Sequence, residues 1–104
     1  MMAHQILVHA TTSGGVTTVE ALIKHPMDSG FVKGKDGKLI PPHYIEVVEF
    51  THKGKLVLRG FWGPAVSKNP FIRFSFKGGA SGDPIGVSWV DNKGETASMS
   101  AAIM

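Results

Sequence analysis

The chain contains no cysteine. That absence excludes disulfides, thiolate metal sites, iron–sulfur clusters and thiol catalysis together. It also leaves packing alone to hold the fold, and it removes cysteine usage as a guide to redox compartment. Arginine is nearly absent as well. Arg59 and Arg73 stand among 11 basic residues, and lysine supplies the rest of a formal charge of +3. Base and phosphate recognition draws on arginine forks, and here the basic residues are spread over several loops with no helix to enter a groove, so nucleic-acid binding is not expected. No run approaches the ~18 apolar residues of a membrane-spanning helix. Met1 to Gly15 shows neither a charged n-region nor an apolar h-region, so no signal peptide is expected, and the literal reading is a cytoplasmic chain.

What is present fits one small domain over residues 1–104. A hydrophobic content of 42% suits a globular chain, and a domain of this size buries enough surface for a single core. The stretch Thr18 to Met27 is the organising one. Val19, Ala21 and Ile23 fall on one face of a strand, with Thr18, Glu20, Leu22 and Lys24 on the other. Pro26 ends that strand because it has no N–H for a ladder, and it holds His25 in an extended or turn conformation. A long basic loop, Asp28 to Pro42, follows. Asp36-Gly37 within it signals a tight turn, so Phe31 to Ile40 is expected to form a small hairpin.

Other strands are read over Gln5–Ala10, His43–His52, Lys55–Phe61, Phe71–Lys77, Ile85–Val90 and Glu95–Met104. Val47 and Val48 are adjacent, and a bulge or two-sided burial would explain them. Lys53-Gly54 reads as a two-residue hairpin turn, and Asp91-Asn92-Lys93-Gly94 as another hairpin turn. Trp62 to Pro70, with its prolines and glycine, reads as a crossover between sheets. Phe74, Phe76 and Trp89 read as core. The pattern predicts an all-β, immunoglobulin-like β-sandwich of about seven antiparallel strands.

Candidate chemistry is sparse. No serine sits in a Gly-x-Ser-x-Gly elbow, and the carboxylates are dispersed. Gly78-Gly79-Ala80-Ser81-Gly82 lacks the Lys-Ser/Thr of a phosphate loop and reads as a flexible turn. Among the histidines, His4 and His9 read as surface residues and His52 as solvated beside a turn. His25 and His43 bracket the long loop and can meet in space; with Met27 they would make a soft site suited to copper(I). The plainer reading of His25 is a hydrogen-bonded strand end.

Four motifs in order, Lys24-His25-Pro26-Met27, Gly37-Lys38-Leu39-Ile40-Pro41, Trp62-Gly63 with Ser67-Lys68-Asn69-Pro70, and Trp89-Val90-Asp91-Asn92-Lys93-Gly94, resemble the SoxZ family. Phe74 to Gly78 and Asp83 match too. Pro64-Ala65-Val66 departs from a more glycine-rich run, and Met1 to Ala10 has no distinctive match. The resemblance implies a non-catalytic subunit without cofactor in the SoxYZ sulfur carrier of thiosulfate oxidation. Its partner would be a SoxY-type subunit whose C-terminal cysteine arm carries the sulfur intermediates. The complex would meet other sulfur-oxidation enzymes in the periplasm, and this chain would be exported with its partner. Partner contact is expected at His25, Pro26, Met27, Trp62, Lys68, Asn69 and Pro70, with Met27→Asp weakening the complex while leaving the domain folded. An uncovered edge or apolar face would favour homodimers of the isolated chain. Lys24-His25-Pro26 also resembles a corner of superoxide-reductase-type iron proteins, but the chain has no cysteine for their axial thiolate.

Overall fold

The computed structural model describes residues 5–104. Seven strands are present: β1 (Ile6–Ser13), β2 (Val16–Ile23), β3 (Ile45–His52), β4 (Lys55–Phe61), β5 (Phe71–Lys77), β6 (Pro84–Asp91) and β7 (Thr96–Ala102). They form a three-stranded sheet in the order β1-β2-β5 and a four-stranded sheet in the order β4-β3-β6-β7. Every pairing is antiparallel, and no helix occurs among the described residues. This is the expected immunoglobulin-like sandwich.

Alternation sets which side chains meet between the sheets. β2 turns Thr17, Val19, Ala21 and Ile23 inward, all buried, and β6 does the same with Ile85, Val87 and Trp89. Phe50 of β3 meets Phe74 of β5 edge-to-face at 4.8 Å between ring centroids, which ties one sheet to the other. Phe74 and Phe76 are only half-buried because β5 is an edge strand. The adjacent valines are explained by a bulge. Ile45 pairs with Asp91 and Val47 with Val90, so Glu46 is the extra residue. It shifts the phase of β3 by one, and Ile45 and Val48 both reach the core.

The turns follow their glycines. β1 runs on past Ala10 to Ser13, which pairs with Val16 across Gly14-Gly15. Both glycines have positive φ, as do Lys53 and Gly54 in the β3–β4 turn, the signature of a tight two-residue hairpin. Beyond β7, Ile103 is buried in the core, and Met104 donates its N–H to Ala10 O at 2.9 Å, linking the tail to β1.

The run Gly78 to Asp83 is less free than its composition suggests. Thr17 is fully buried and donates its hydroxyl to Gly78 O at 2.6 Å. Gly79 lies against that hydroxyl at φ +86°, and a Cβ there would stand 2.2 Å from Thr17 Oγ1. Gly82, at φ +92°, has nothing within 4 Å of its Cβ position. Gly82→Ala therefore pays only for its backbone conformation, roughly 1 kcal/mol. Gly79→Ala adds a clash and is expected to lower stability by about 1–3 kcal/mol more. Urea unfolding of the two variants checks this, and equal losses would contradict the role assigned to Thr17.

Candidate functional site

The site lies where β2 and β6 end on the same side of the sandwich. Two residues beyond β2, His25 continues the inward parity of Val19, Ala21 and Ile23, and it is buried to 1% exposure. Asp91, the last residue of β6, continues the inward parity of Ile85, Val87 and Trp89, and is equally buried. The two side chains meet, with His25 Nε2 at 2.9 Å from Asp91 Oδ2. His43 arrives from the far end of the long loop. Reciprocal backbone hydrogen bonds with Asp28 close the loop base at 2.9 and 3.0 Å. His43 Nε2 then lies 2.9 Å from the same Asp91 Oδ2 and 3.2 Å from Glu95 Oε1.

Around this centre the geometry is held from several sides. Asp91 Oδ1 accepts from the N–H groups of Lys93 at 3.0 Å and Glu95 at 2.8 Å. His25 Nδ1 donates to the carbonyl of Pro26. The His25 backbone N–H donates to Asn69 Oδ1 at 3.0 Å, and Asn69 N–H returns to His25 O at 3.1 Å. Asn69 does so in the left-handed region, at φ 52°, which asparagine tolerates better than most residues. Asn92 Oδ1 accepts from Tyr44 N–H at 2.8 Å, and its Nδ2 donates to Pro42 O at 3.0 Å. The His25 ring stacks edge-on against Trp89 at 4.5 Å and against His43 at 4.6 Å between centroids.

The electrostatics follow from these contacts. Burial alone would push the Asp91 carboxyl up. Hydrogen bonds from His25, the Glu95 N–H, His43 and the Lys93 N–H outweigh it and hold the carboxyl at about 2. The atoms that face the two His25 ring nitrogens, the Pro26 carbonyl and the Asp91 carboxylate, are both acceptors. A second, simpler pair lies at the other end of β3. There His52 Nε2 is 2.8 Å from Asp83 Oδ2, and its hydrogen bond, helped by Ala80 N–H and Lys53, keeps Asp83 below the ordinary carboxylate range.

The expected histidine pair therefore forms, but its third member differs. Met27 is packed in the hydrophobic core, and the group that joins both imidazoles is Asp91. The carboxylates were read as dispersed, and Asp91 only as turn chemistry. The missed signal is its inward parity with Trp89. His52 is paired where solvation was expected, and His9 is exposed as expected, with Glu20 Oε1 3.7 Å away. His4 lies outside the described residues.

Of the residues expected at a partner surface, His25, Met27 and Pro70 are buried and offer no contact area. Pro26 and Trp62 are half-buried, and Lys68 and Asn69 are exposed. Trp62 to Pro70 does cross from β4 in one sheet to β5 in the other. The Phe31–Ile40 hairpin also forms, closed by Gly34 N–H to Lys38 O and Ile40 N–H to Val32 O, both 2.8 Å. It presents Phe31, Val32 and Leu39 to solvent, with Phe31 87% exposed.

A family model described as sulphur oxidation protein SoxZ matches residues 6–102. The chain belongs to the SoxZ family. Three of the four motifs that carried the resemblance converge here, through His25, Asn69 and Asp91-Asn92, and the Gly37–Pro41 motif leads into Pro42, whose carbonyl accepts from Asn92. Comparison with curated proteins finds no match. Solved structures show the same fold. The superoxide reductase (neelaredoxin) of Archaeoglobus fulgidus in its reduced form superposes with a TM-score of 0.64 at 18% identity, covering 94% of this chain and 87% of that one. Its counterpart from Ignicoccus hospitalis, a T24K form, gives 0.64 at 15% identity, covering 96% and 78%. The hypothetical protein PH1083 of Pyrococcus horikoshii gives 0.65 at 16% identity, covering 97% and 88%. At these identities the likeness establishes the fold alone. A thiolate-ligated iron centre does not fit this chain, because it has no cysteine.

Two outcomes follow from the site. Asp91 has a folded-state pKa below its unfolded value, so its stabilisation is fully present above about pH 4 and is lost as pH falls through about 2. The stability gap between the native chain and Asp91→Asn should shrink by about 2 kcal/mol between pH 5 and pH 2. Urea unfolding across that range measures it, and a gap independent of pH would rule out the ionised carboxylate as the source. Met27→Asp places a charge in the core and is expected to unfold the isolated domain. A native-like melting curve would return Met27 to the surface role first expected of it.

Proposed function

We propose that this chain is the non-catalytic subunit of a thiosulfate-oxidation sulfur carrier, paired with a SoxY-type subunit that carries the reactive cysteine. One observation carries the reading: a chain of the SoxZ family has no cysteine at all. A carrier that holds sulfur on a thiol must find that thiol on another chain. What the family residues build here is a hydrogen-bonded corner, which suits a scaffold that presents a partner's arm. The complex works in the periplasm, and the chain reaches it with its partner.

The contact surface we assign is the Phe31–Ile40 hairpin together with Pro26, Trp62, Lys68 and Asn69. The hairpin combines solvent-facing apolar side chains with the exposed Lys33, Lys35 and Lys38. Apolar area supplies affinity, and a local positive field speeds approach of anionic sulfur species and of an acidic partner face.

Co-expression with a SoxY-type subunit, followed by size separation and intact-mass analysis, tests the pairing. The two chains should co-elute in equal amounts, with sulfur mass increments on the partner and none on this chain. Separate elution, or sulfur found on this chain, would refute it. Replacing Lys33, Lys35 and Lys38 by glutamine should slow association roughly tenfold at low salt and much less at high salt. An equal effect at both would remove the steering argument.

A further inference from the structure

We propose that His25, His43, Asp91 and Glu95 form a binding site for one divalent first-row transition-metal ion. The ligand atoms are His25 Nε2, His43 Nε2 and Asp91 Oδ2 at the buried end, with Glu95 Oε1 on the solvent side. The first three lie within 4.8 Å of one another. Both imidazoles approach the same carboxylate oxygen at 2.9 Å, and Glu95 Oε1 stands 3.2 Å from His43 Nε2. Ligands about 2.1 Å from a central ion and 2.9 Å from each other subtend roughly 90°. Both imidazole–carboxylate edges therefore suit a six- or five-coordinate ion, and the two imidazole nitrogens, in a donor set spanning up to 4.8 Å, close to within about 4.2 Å of each other to share it. A tetrahedral ion needs the donors to spread by about half an ångström.

The outer contacts are those that a metal site requires. The far nitrogen of His25 donates to the Pro26 carbonyl, which fixes the ring and leaves Nε2 to face the ion. The far oxygen of Asp91 is held by two backbone N–H groups, so Oδ2 alone turns inward. His43 is set by its backbone pairing with Asp28. Two carboxylates balance a divalent charge. The path in runs past His43 and Glu95, whose side chains are 17% and 50% exposed.

The donor set selects the class of ion. Two imidazoles and one or two carboxylates suit zinc, ferrous iron or cobalt, and they are poor for calcium or magnesium, which take oxygen. Copper(I) is disfavoured, since the chain has no thiolate and the Met27 thioether belongs to the core. The site is built only from this chain's own residues and is independent of the carrier reading. It implies nothing about superoxide chemistry.

The test uses untagged, chelator-treated full-length protein, titrated with Co²⁺ followed by visible absorption and with Zn²⁺ by calorimetry. One equivalent of each should bind saturably, and Zn²⁺ should raise the melting temperature. His43→Gln should weaken Zn²⁺ at least tenfold and Glu95→Gln several-fold, while His52→Gln leaves binding unchanged. These positions are partly exposed, so the variants test the site even if Asp91→Asn fails to fold, and circular dichroism confirms that they do fold. Absence of saturable binding would overturn the proposal. So would binding that survives both His43→Gln and Glu95→Gln, since the ion would then sit elsewhere.

Discussion

The Asp91 carboxylate is the interaction on which the rest of this corner depends. It is buried, yet it accepts from four donors: two imidazoles on one oxygen and two backbone N–H groups on the other. A lone buried carboxylate would cost several kcal/mol, so each of those donors is needed. Meeting the demand fixes the path of three segments at once. The β2 end must deliver His25, the long loop must close at His43, and the β6–β7 turn must curl its N–H groups back towards Asp91. Removing one donor leaves the others facing a poorly compensated charge, and this is why the segments behave as a unit.

That constraint separates two roles within the family motifs. His25, Met27 and Pro70 are buried and shape the corner from inside. The hairpin, Lys68 and the half-buried Trp62 stand at or near the surface that the corner supports. A corner with little freedom can hold a protruding hairpin in one orientation, and pre-organisation of this kind lowers the ordering cost of association. Asn69 shows how tightly the two roles are joined. Its backbone and side chain both clasp His25, while the residue itself remains exposed beside Lys68.

Much of the fold was legible from alternation and turn chemistry. β4 and β5 begin and end where period-2 patterning places them, and the paired valines did mark a bulge. The errors have physical causes. β1 was cut short at Ala10 because Ser13-Gly14-Gly15 is turn material, but pairing with β2 carries the strand to Ser13 and the two positive-φ glycines alone make the turn. The glycine run after β5 looked free because composition does not reveal that Thr17 packs beneath Gly79. His25 and His43 were paired correctly from the loop they bracket. Asp91 was missed because it opens an Asp-Asn-Lys-Gly turn, and that local signal masked its place on the inward face of β6.

Parity ties the two strand ends together. On both β2 and β6, extending the inward face by one position places a polar residue where the core closes, His25 on one strand and Asp91 on the other. A sandwich can tolerate such residues only as partners across the sheets, so the two strand ends are specified jointly. Solved superoxide reductases share this framework at 14 to 18% identity, and the framework itself dictates no chemistry. What this chain can hold is decided by the side chains at the strand ends. Here they are two imidazoles and a carboxylate, with no sulfur ligand except a thioether committed to the core. This chain supplies no thiol, while the nitrogen and oxygen donors of the corner remain available to a proton or a divalent ion.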